Sequence, residues 1–373
     1  MTHADSPHPL LRRLLRVAAL AGSGVVVVML ALPVAAAETA AKAMADTGTR
    51  YKADPDMQRL LDAHAGLGPK PIETLSVEEA RRQPTIADAV KAVLTKRGRS
   101  TAPTDLVPGV TSVDREIPGA AGPLPARIYT PSGSGPFPVV VYFHGGGWVI
   151  ADKEVYDGGA RGLAKAAGAI VVSVDYRRAP EAKFPAAWDD ALAAYRWVAG
   201  NAASLNGTQQ LALAGESAGG NLAISTAVAA RDANAPMPKA ILAVYPVGQT
   251  GNLDTPSYVD SATAKPLNKA MIGWFVDKVF AKLDDAKNPR VDIVNADLKN
   301  LPPVTIINAQ IDPLRSDGDL LESALKKAGV KVEQRNFEGS AHEFFGAAAV
   351  VKDAQEAQAY AGKRLKQAFG NGR

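Results

Sequence analysis

Short apolar runs alternate with helical patterns along the second half of the chain, and this alternation constrains the fold more than any other feature. β-type runs cover Val139 to Phe143, Ala169 to Val174, Leu211 to Ala214 and Ala240 to Tyr245, and helical patterns follow the second and third of them. Parallel strands need long crossover connections, which are usually helices. The sequence therefore predicts an α/β fold with a mostly parallel sheet flanked by helices.

Further runs on either side bring the predicted sheet to eight strands. Val113 to Ile117 and Ala126 to Tyr129 are predicted to open the sheet as two edge strands, and Val304 to Ile311 and Val330 to Phe337 to complete it. The alternation of strand and helix patterns is interrupted over residues 248–301, where Leu267 to Phe280 has the pattern of an amphipathic helix. We interpret this stretch as an insertion between strands.

The first 37 residues have the pattern of a secretory signal peptide. Arg12, Arg13 and Arg16 precede an apolar stretch of 16 residues from Val17 to Leu32, and three alanines end at Ala37. This stretch is shorter than the roughly 20 residues that a spanning helix needs. We expect cleavage after Ala37 and a periplasmic or secreted protein without stable membrane insertion. An uncleaved anchor remains the alternative, and the export route stays open.

Composition narrows the remaining classes of function. The chain has no cysteine, so an exported product would contain no disulfide bond. The net charge is +4, and without residues 1–37 there are 39 basic against 37 acidic residues. The sequence contains no block of like charge, so nothing in it indicates a nucleic-acid partner.

The pentapeptide Gly215-Glu216-Ser217-Ala218-Gly219 stands between a predicted strand and a predicted helix. Strand, sharp turn and helix are the context of a nucleophile elbow, in which the central serine is exposed to a substrate carbonyl. A serine hydroxyl is a poor nucleophile at neutral pH, so it needs a base within hydrogen-bond reach. Ser217 is the candidate nucleophile.

The candidate base and its orienting carboxylate follow from chain position. After residue 37 the histidines are His64, His144 and His342, and His342 lies in a loop after the last predicted strand. Asp312 directly follows the strand that ends at Ile311, where residues of a parallel sheet face the ligand crevice. Two rival carboxylates, Asp317 and Asp319, are more simply explained as helix-capping groups. The order of serine, aspartate and histidine is that of α/β hydrolases.

Glycines after a strand provide candidate donors for an oxyanion hole. His144 is followed by Gly145, Gly146 and Gly147, whose backbone N–H groups can reach a crevice without interference from side chains. The N–H of Ala218 adds a further donor. Neither glycine pattern of a phosphate-binding loop occurs, and Gly346 stands where a zinc motif after His342 would need histidine, so we predict no metal site and no cofactor.

Taken together, the motifs resemble the hormone-sensitive-lipase-like esterases, also called bacterial family IV lipolytic enzymes. The resemblance covers most of residues 70–346 and rests on six segments. They are His144-Gly145-Gly146-Gly147-Trp148, Asp175-Tyr176-Arg177-Arg178-Ala179-Pro180-Glu181, Phe184-Pro185-Ala186-Ala187, Gly215 to Asn221, Asp312-Pro313-Leu314-Arg315 and the residues around His342.

This resemblance implies an α/β-hydrolase fold with a helical cap and a serine carboxylesterase activity. Ser217, Asp312 and His342 would be the triad, and Gly146, Gly147 and Ala218 the oxyanion donors, with Gly145 shaping the loop. After the predicted signal peptide (1–37), the expected organisation is an N-terminal cap segment (38–110), a first core part (111–248), a cap insertion (249–300) and a second core part (301–373). Glu343 follows the histidine where glycine or alanine is frequent, so it could change the pKa of His342.

The expected substrates are small-molecule esters with short to medium acyl chains. Trp148 and Phe344 are candidates for the pocket wall, with plain core packing as the alternative. Triad geometry does not separate esters from amides or peptides, and a non-catalytic ligand-binding module on the same scaffold is the third interpretation. The sequence leaves a homodimer open.

Overall fold

The structure is a computed structural model that describes residues 49–370. The predicted signal peptide and its cleavage site after Ala37 lie outside these residues. Within residues 49–370, every helix is too short or too polar to span a bilayer.

Eight strands form a single sheet, as the sequence predicts. The strands are β1 (Val110–Pro118), β2 (Pro123–Pro131), β3 (Phe137–Phe143), β4 (Ile170–Val174), β5 (Gly207–Glu216), β6 (Ala240–Val244), β7 (Val304–Ile311) and β8 (Val332–Ala341). Their order in the sheet is β1-β2-β4-β3-β5-β6-β7-β8. Strands β3 to β8 pair in parallel with one another, whereas β2 is antiparallel to both β1 and β4. Only the first of the two predicted opening strands is therefore an edge strand, because β2 is paired on both sides.

Helices fill the connections. They are α1 (Pro55–Gly66), α2 (Val77–Ala80), α3 (Ile86–Lys96), α4 (Pro103–Leu106), α5 (Asp157–Ala167), α6 (Ala186–Asn201), α7 (Ala218–Asp232), α8 (Pro256–Asp260), α9 (Lys269–Val279), α10 (Arg315–Lys327) and α11 (Lys352–Ala368). Short 3₁₀ turns cover Ile72–Thr74, Ala202–Leu205, Leu283–Lys287 and Phe344–Ala347. A capping box begins α2, since Ser76 and Glu79 bond each other's backbone N–H.

Alternate residues of the central strands bury two separate cores. On β3, Val139 and Val141 belong to the core that includes residues of α6, α7 and α10, whereas Val140 and Tyr142 belong to the core on the opposite face with α5 and α11. All five residues of β4 are buried, as expected for a strand covered by helices on both faces. The sheet is thus the middle layer of three.

Helix α5 is missing from the sequence-based prediction, and its glycines explain why. Glycine lowers helix propensity by about 1 kcal/mol relative to alanine. Packing requires two of the glycines here: a Cβ on Gly159 would lie 2.1 Å from Glu216 Oε1, and one on Gly162 would lie 2.1 Å from Gln358 Oε1. Tertiary contacts, rather than local propensity, hold this helix.

The N-terminal segment, residues 49–109 of the described chain, is attached to the core at several points. The Asp54 N–H donates to the Gly339 carbonyl (3.0 Å), next to the end of β8. Asp56 accepts a hydrogen bond from the Lys352 N–H (2.8 Å) at the start of α11. Arg81 forms two 2.8 Å bonds to Glu181 and also donates to the Val149 carbonyl (2.9 Å). The segment is therefore bound to elements from both halves of the sheet.

Candidate active site

Ser217 occupies a sharp turn between β5 and α7. Its backbone angles are φ 56° and ψ −119°, which a non-glycine residue rarely adopts. The turn brings the helix so close to the sheet that only glycine fits beside it: a Cβ on Gly215 would lie 2.1 Å from the Gly219 carbonyl oxygen, and one on Gly219 would lie 2.0 Å from that of Phe143. The predicted elbow is present, and both of its glycines have a steric reason.

The structure brings Ser217, Asp312 and His342 together. Each is the residue directly after the end of its strand, β5, β7 and β8 respectively, so all three lie at the carboxyl edge of the parallel sheet. His342 Nε2 is 3.1 Å from Ser217 Oγ, and His342 Nδ1 is 2.6 Å from Asp312 Oδ2. With the proton on Nδ1 donated to Asp312, Nε2 is free to accept from the serine hydroxyl.

Asp312 is oriented by its own strand end. Its Oδ1 accepts a hydrogen bond from the Leu314 N–H (2.8 Å), while Oδ2 faces the imidazole. Both Asp312 and His342 are almost wholly buried. A buried carboxylate with two fixed partners holds the ring in one orientation.

The surroundings of His342 raise its pKa above the ordinary value. Burial of the imidazole acts against the charged form, but three carboxylates outweigh it: Asp312 by contact, and Glu343 and Glu216 at longer range. The imidazolium is thus more stable here than in water. Such stabilisation favours a base that must hold a proton briefly.

Two further acids near the site are buried with raised pKa values. Burial raises the pKa of Glu216 to about 7, although its two oxygens accept hydrogen bonds from the Tyr142 and Tyr245 hydroxyls. Burial also raises the pKa of Asp317 to about 8. Asp317 Oδ2 accepts from the N–H of Gly248 (3.1 Å), so it bonds the loop after β6 instead of capping α10 as the sequence suggested.

Asp319 is the other carboxylate that the sequence left as a rival to Asp312. It lies inside α10 rather than at its start, and it is bonded by Gln334 Nε2 (2.5 Å). Neither rival contacts the imidazole; the carboxylate bonded to His342 is Asp312.

The glycine loop after β3 divides into two roles. Gly146 and Gly147, with φ of 91° and 59°, line the same cavity as Ser217. Gly145 is absent from that wall, and a Cβ on it would lie 2.2 Å from the Tyr156 hydroxyl. Gly145 therefore permits close packing behind the loop, whereas Gly146 and Gly147 line the cavity and Ala218 is the first residue of α7.

His144 anchors this loop rather than serving as a base. Its Nδ1 lies 2.8 Å from the Gly145 carbonyl oxygen, and its ring stacks on Tyr176 at 4.3 Å between centroids. Burial lowers its pKa, so the ring is neutral near pH 7. The Tyr176 hydroxyl donates to the His144 carbonyl (2.8 Å) and fixes the backbone from the other side.

A cavity of about 440 Å³ opens above Ser217 and His342, and we call it the catalytic cavity. Its walls come from the N-terminal segment and from the insertion (residues 249–300). Apolar lining residues are Leu61, Ile72, Ile86, Leu267, Met271 and Phe275. The two regions predicted as cap segments thus both contribute to the enclosure of the serine.

The aromatic residues proposed for the pocket wall are elsewhere. Trp148 is buried and packs on Trp188 with ring centroids 5.0 Å apart, and Phe344 is buried against Phe337 at 5.3 Å. Neither lines the catalytic cavity, so core packing is the correct interpretation of both. Phe275 contributes an aromatic ring instead, and a Cβ on Gly147 would lie 2.4 Å from it. The sequence predicts the helix that carries Phe275, but it does not indicate which side of that helix faces the cavity.

Along residues 49–370, no group of three or more histidine, aspartate or glutamate side chains is arranged to hold a metal ion.

Comparison with known proteins agrees with this geometry. Residues 140–346 match a family model described as alpha/beta hydrolase fold. A carboxylesterase of Mycobacterium tuberculosis, NlhH, is 39% identical over 293 residues, which cover 76% of this chain and 91% of that protein. The ethyl acetate hydrolase of Pseudomonas putida is 30% identical over 80% of this chain and 92% of its own. The structure of a hyperthermophilic esterase from Pyrobaculum calidifontis superposes with a TM-score of 0.75 at 34% identity, covering 85% of this chain and 98% of that one.

The strand order, the elbow serine and the serine–histidine–aspartate line define an α/β hydrolase. Within that class, the chain belongs to the hormone-sensitive-lipase-like esterase family.

The charge of Glu343 provides a test of the electrostatics around His342. Because the Glu343 carboxylate favours the imidazolium, Glu343→Gln should lower the pKa of His342. The measurement is an NMR titration of the His342 ring in both proteins. Glu338→Gln, which removes an exposed carboxylate from the same strand region, is the control and should leave the titration unchanged. An unchanged or higher pKa in Glu343→Gln would contradict the account.

Proposed function

We propose that the protein is a serine carboxylesterase that forms an acyl-enzyme on Ser217. The observation that carries the proposal is the chain of hydrogen bonds from Ser217 Oγ through His342 to Asp312, next to an enclosed cavity that Ser217 and His342 line. The relatives named carboxylesterase and ethyl acetate hydrolase support esters over amides as substrates.

Acylation uses His342 first as a base and then as an acid. Ser217 Oγ attacks the ester carbonyl carbon while His342 Nε2 takes its proton, and Asp312 stabilises the resulting imidazolium. The tetrahedral intermediate then expels the alcohol, which receives that proton from Nε2. The buried position of His342 shields the transferred proton from bulk water.

Deacylation repeats the same steps with water. His342 removes a proton from a water molecule as the water attacks the acyl carbon, and the serine oxygen leaves with a proton from Nε2. In the tetrahedral intermediate of each half, the former carbonyl oxygen carries a negative charge. We assign its stabilisation to the N–H groups of Gly146, Gly147 and Ala218, since the first N–H groups of a helix have no intrahelical partner.

The dimensions of the catalytic cavity support small substrates. Its volume of about 440 Å³ is at the lower end of the range typical of ligand sites, and its walls are largely apolar. We therefore propose short acyl chains, and the resemblance to esterases with a capped pocket implies about four to eight carbons.

Hydrolysis of p-nitrophenyl esters of increasing acyl length tests the activity and the size limit. We expect kcat/KM to be highest at short to medium length and to fall for long chains. Ser217→Ala should lower kcat by on the order of 10⁴-fold or more, because the covalent step is lost. Wild-type rates in Ser217→Ala would refute the acyl-enzyme, and a preference for long chains would refute the size limit.

Substitution of the two buried aspartates, one at a time, distinguishes a triad residue from a structural one. Asp312→Asn should lower kcat by about 10⁴-fold, since the amide favours the wrong imidazole tautomer. Asp317→Asn is the matched control, and kcat should stay within about threefold because a carboxyl with a raised pKa of about 8 is already mostly uncharged near neutral pH. Similar losses in both variants would contradict the role of Asp312.

We also propose that the protein is exported to the periplasm or secreted. Support comes from the basic, apolar and alanine-rich order of residues 1–37. Expression of the full chain and N-terminal sequencing of the extracytoplasmic fraction test the proposal. A mature N-terminus at Glu38 is the expected result, and retention of the full-length chain in the cytoplasm would refute it.

A further inference from the structure

A second cavity lies behind the catalytic cavity and is larger, at about 600 Å³. We call it the rear cavity. Its apolar wall is built by α3, α4 and the loop before α11. The residues that form this wall are Ile86, Val90, Leu106, Val107, Ala348 and Ala349. None of the proposed catalytic steps uses it.

The two cavities lie back to back at the active site. Ser217 and His342 line the catalytic cavity, while Glu216, the chain neighbour of Ser217, lines the rear cavity. Three residues line both, namely Ile86, Val155 and Glu343. They form the partition, and Glu343 is the member adjacent to His342.

Glu343 is held in this position by its backbone and by one hydrogen bond. Its φ is +64°, in the left-handed region that favours glycine. The Tyr156 hydroxyl donates to Glu343 Oε1 at 3.1 Å, and Tyr156 is itself buried and part of the rear wall. A side chain so fixed obstructs passage between the cavities by its bulk.

The two guanidinium groups that line the rear cavity are already paired with carboxylates. Arg127 is bonded to Asp114 (2.6 Å) and to Glu154, and Arg161 is bonded to Asp157 (2.8 Å). Beside these paired groups, the cavity offers an apolar wall. That wall matches an alkyl chain.

We propose that the Glu343 side chain limits the length of one hydrocarbon arm of the ester, by closing the catalytic cavity off from the rear cavity. The proposal rests on the esterase activity proposed above. Replacement of Glu343 by glycine removes the bulk and suits the left-handed backbone, so the two cavities become one. A longer chain then extends from Ser217 into the rear cavity.

The test measures chain-length selectivity in two ester series, one varying the acyl chain and one varying the alcohol of alkyl acetates. Glu343→Gly should raise the ratio of kcat/KM for a long chain to that for a short chain by about tenfold or more in one series, because each additional buried CH₂ contributes about a fourfold gain. The gain should appear in KM for the long ester. The series that responds identifies the arm. An unchanged ratio in both series overturns the proposal.

Two further variants distinguish the bulk of the Glu343 side chain from its charge, and test whether the longer chain enters the rear cavity. Glu343→Gln keeps the bulk of the side chain and should retain the wild-type ratio; an equal gain in this variant overturns the steric partition. Ala349 lines the rear cavity and not the catalytic one, so Ala349→Phe added to Glu343→Gly should reduce the gain. A full gain in the double variant overturns the use of the rear cavity. Failure of the wild type on every ester would instead refute the esterase proposal.

Discussion

The close approach of α7 to the sheet is the constraint on which the rest of the site depends. The helix starts one residue after β5 ends, and its backbone passes so near to β3 that a methyl group at Gly219 would overlap the Phe143 carbonyl. This contact forces Ser217 into its unusual backbone conformation and leaves the Ala218 N–H at the helix start. The Ser217 N–H also donates to the Val244 carbonyl (2.8 Å), which fixes the turn to the next strand. The packing contact and this hydrogen bond thus hold Ser217, and the Ala218 N–H that we propose as an oxyanion donor, at the carboxyl edge of the sheet.

The buried acidic groups near His342 differ in what their oxygens contact. Asp312 receives a hydrogen bond from the backbone and faces the imidazole. Glu216 and Asp317 are bonded to other groups, and burial raises their pKa values toward neutrality because the hydrogen bonds they accept do not offset the loss of water. Chain position alone would not separate these groups, since the triad role depends on contact with the ring.

Sequence reasoning predicts the sheet and the catalytic line because both follow from periodicity and chain order. Ser217, Asp312 and His342 each directly follow a strand, and such positions meet at one edge of a parallel sheet. The cavity wall follows from tertiary docking instead. Trp148 has a positive φ of 60° and turns to Trp188, and Phe344 enters a 3₁₀ turn toward Phe337, neither of which local pattern indicates. Helix α5 is not predicted for a related reason: its glycines lower the local helix propensity but allow close contacts with the rest of the protein.

The hydrogen bond between Asp54 and Gly339 joins the beginning of the described chain to its last strand. During synthesis the N-terminal segment emerges first, yet its docking partner is translated almost last. Docking of the N-terminal segment at this bond therefore requires β8 to be in place. The enclosure of Ser217 thus depends on the same strand that brings His342 to the active site.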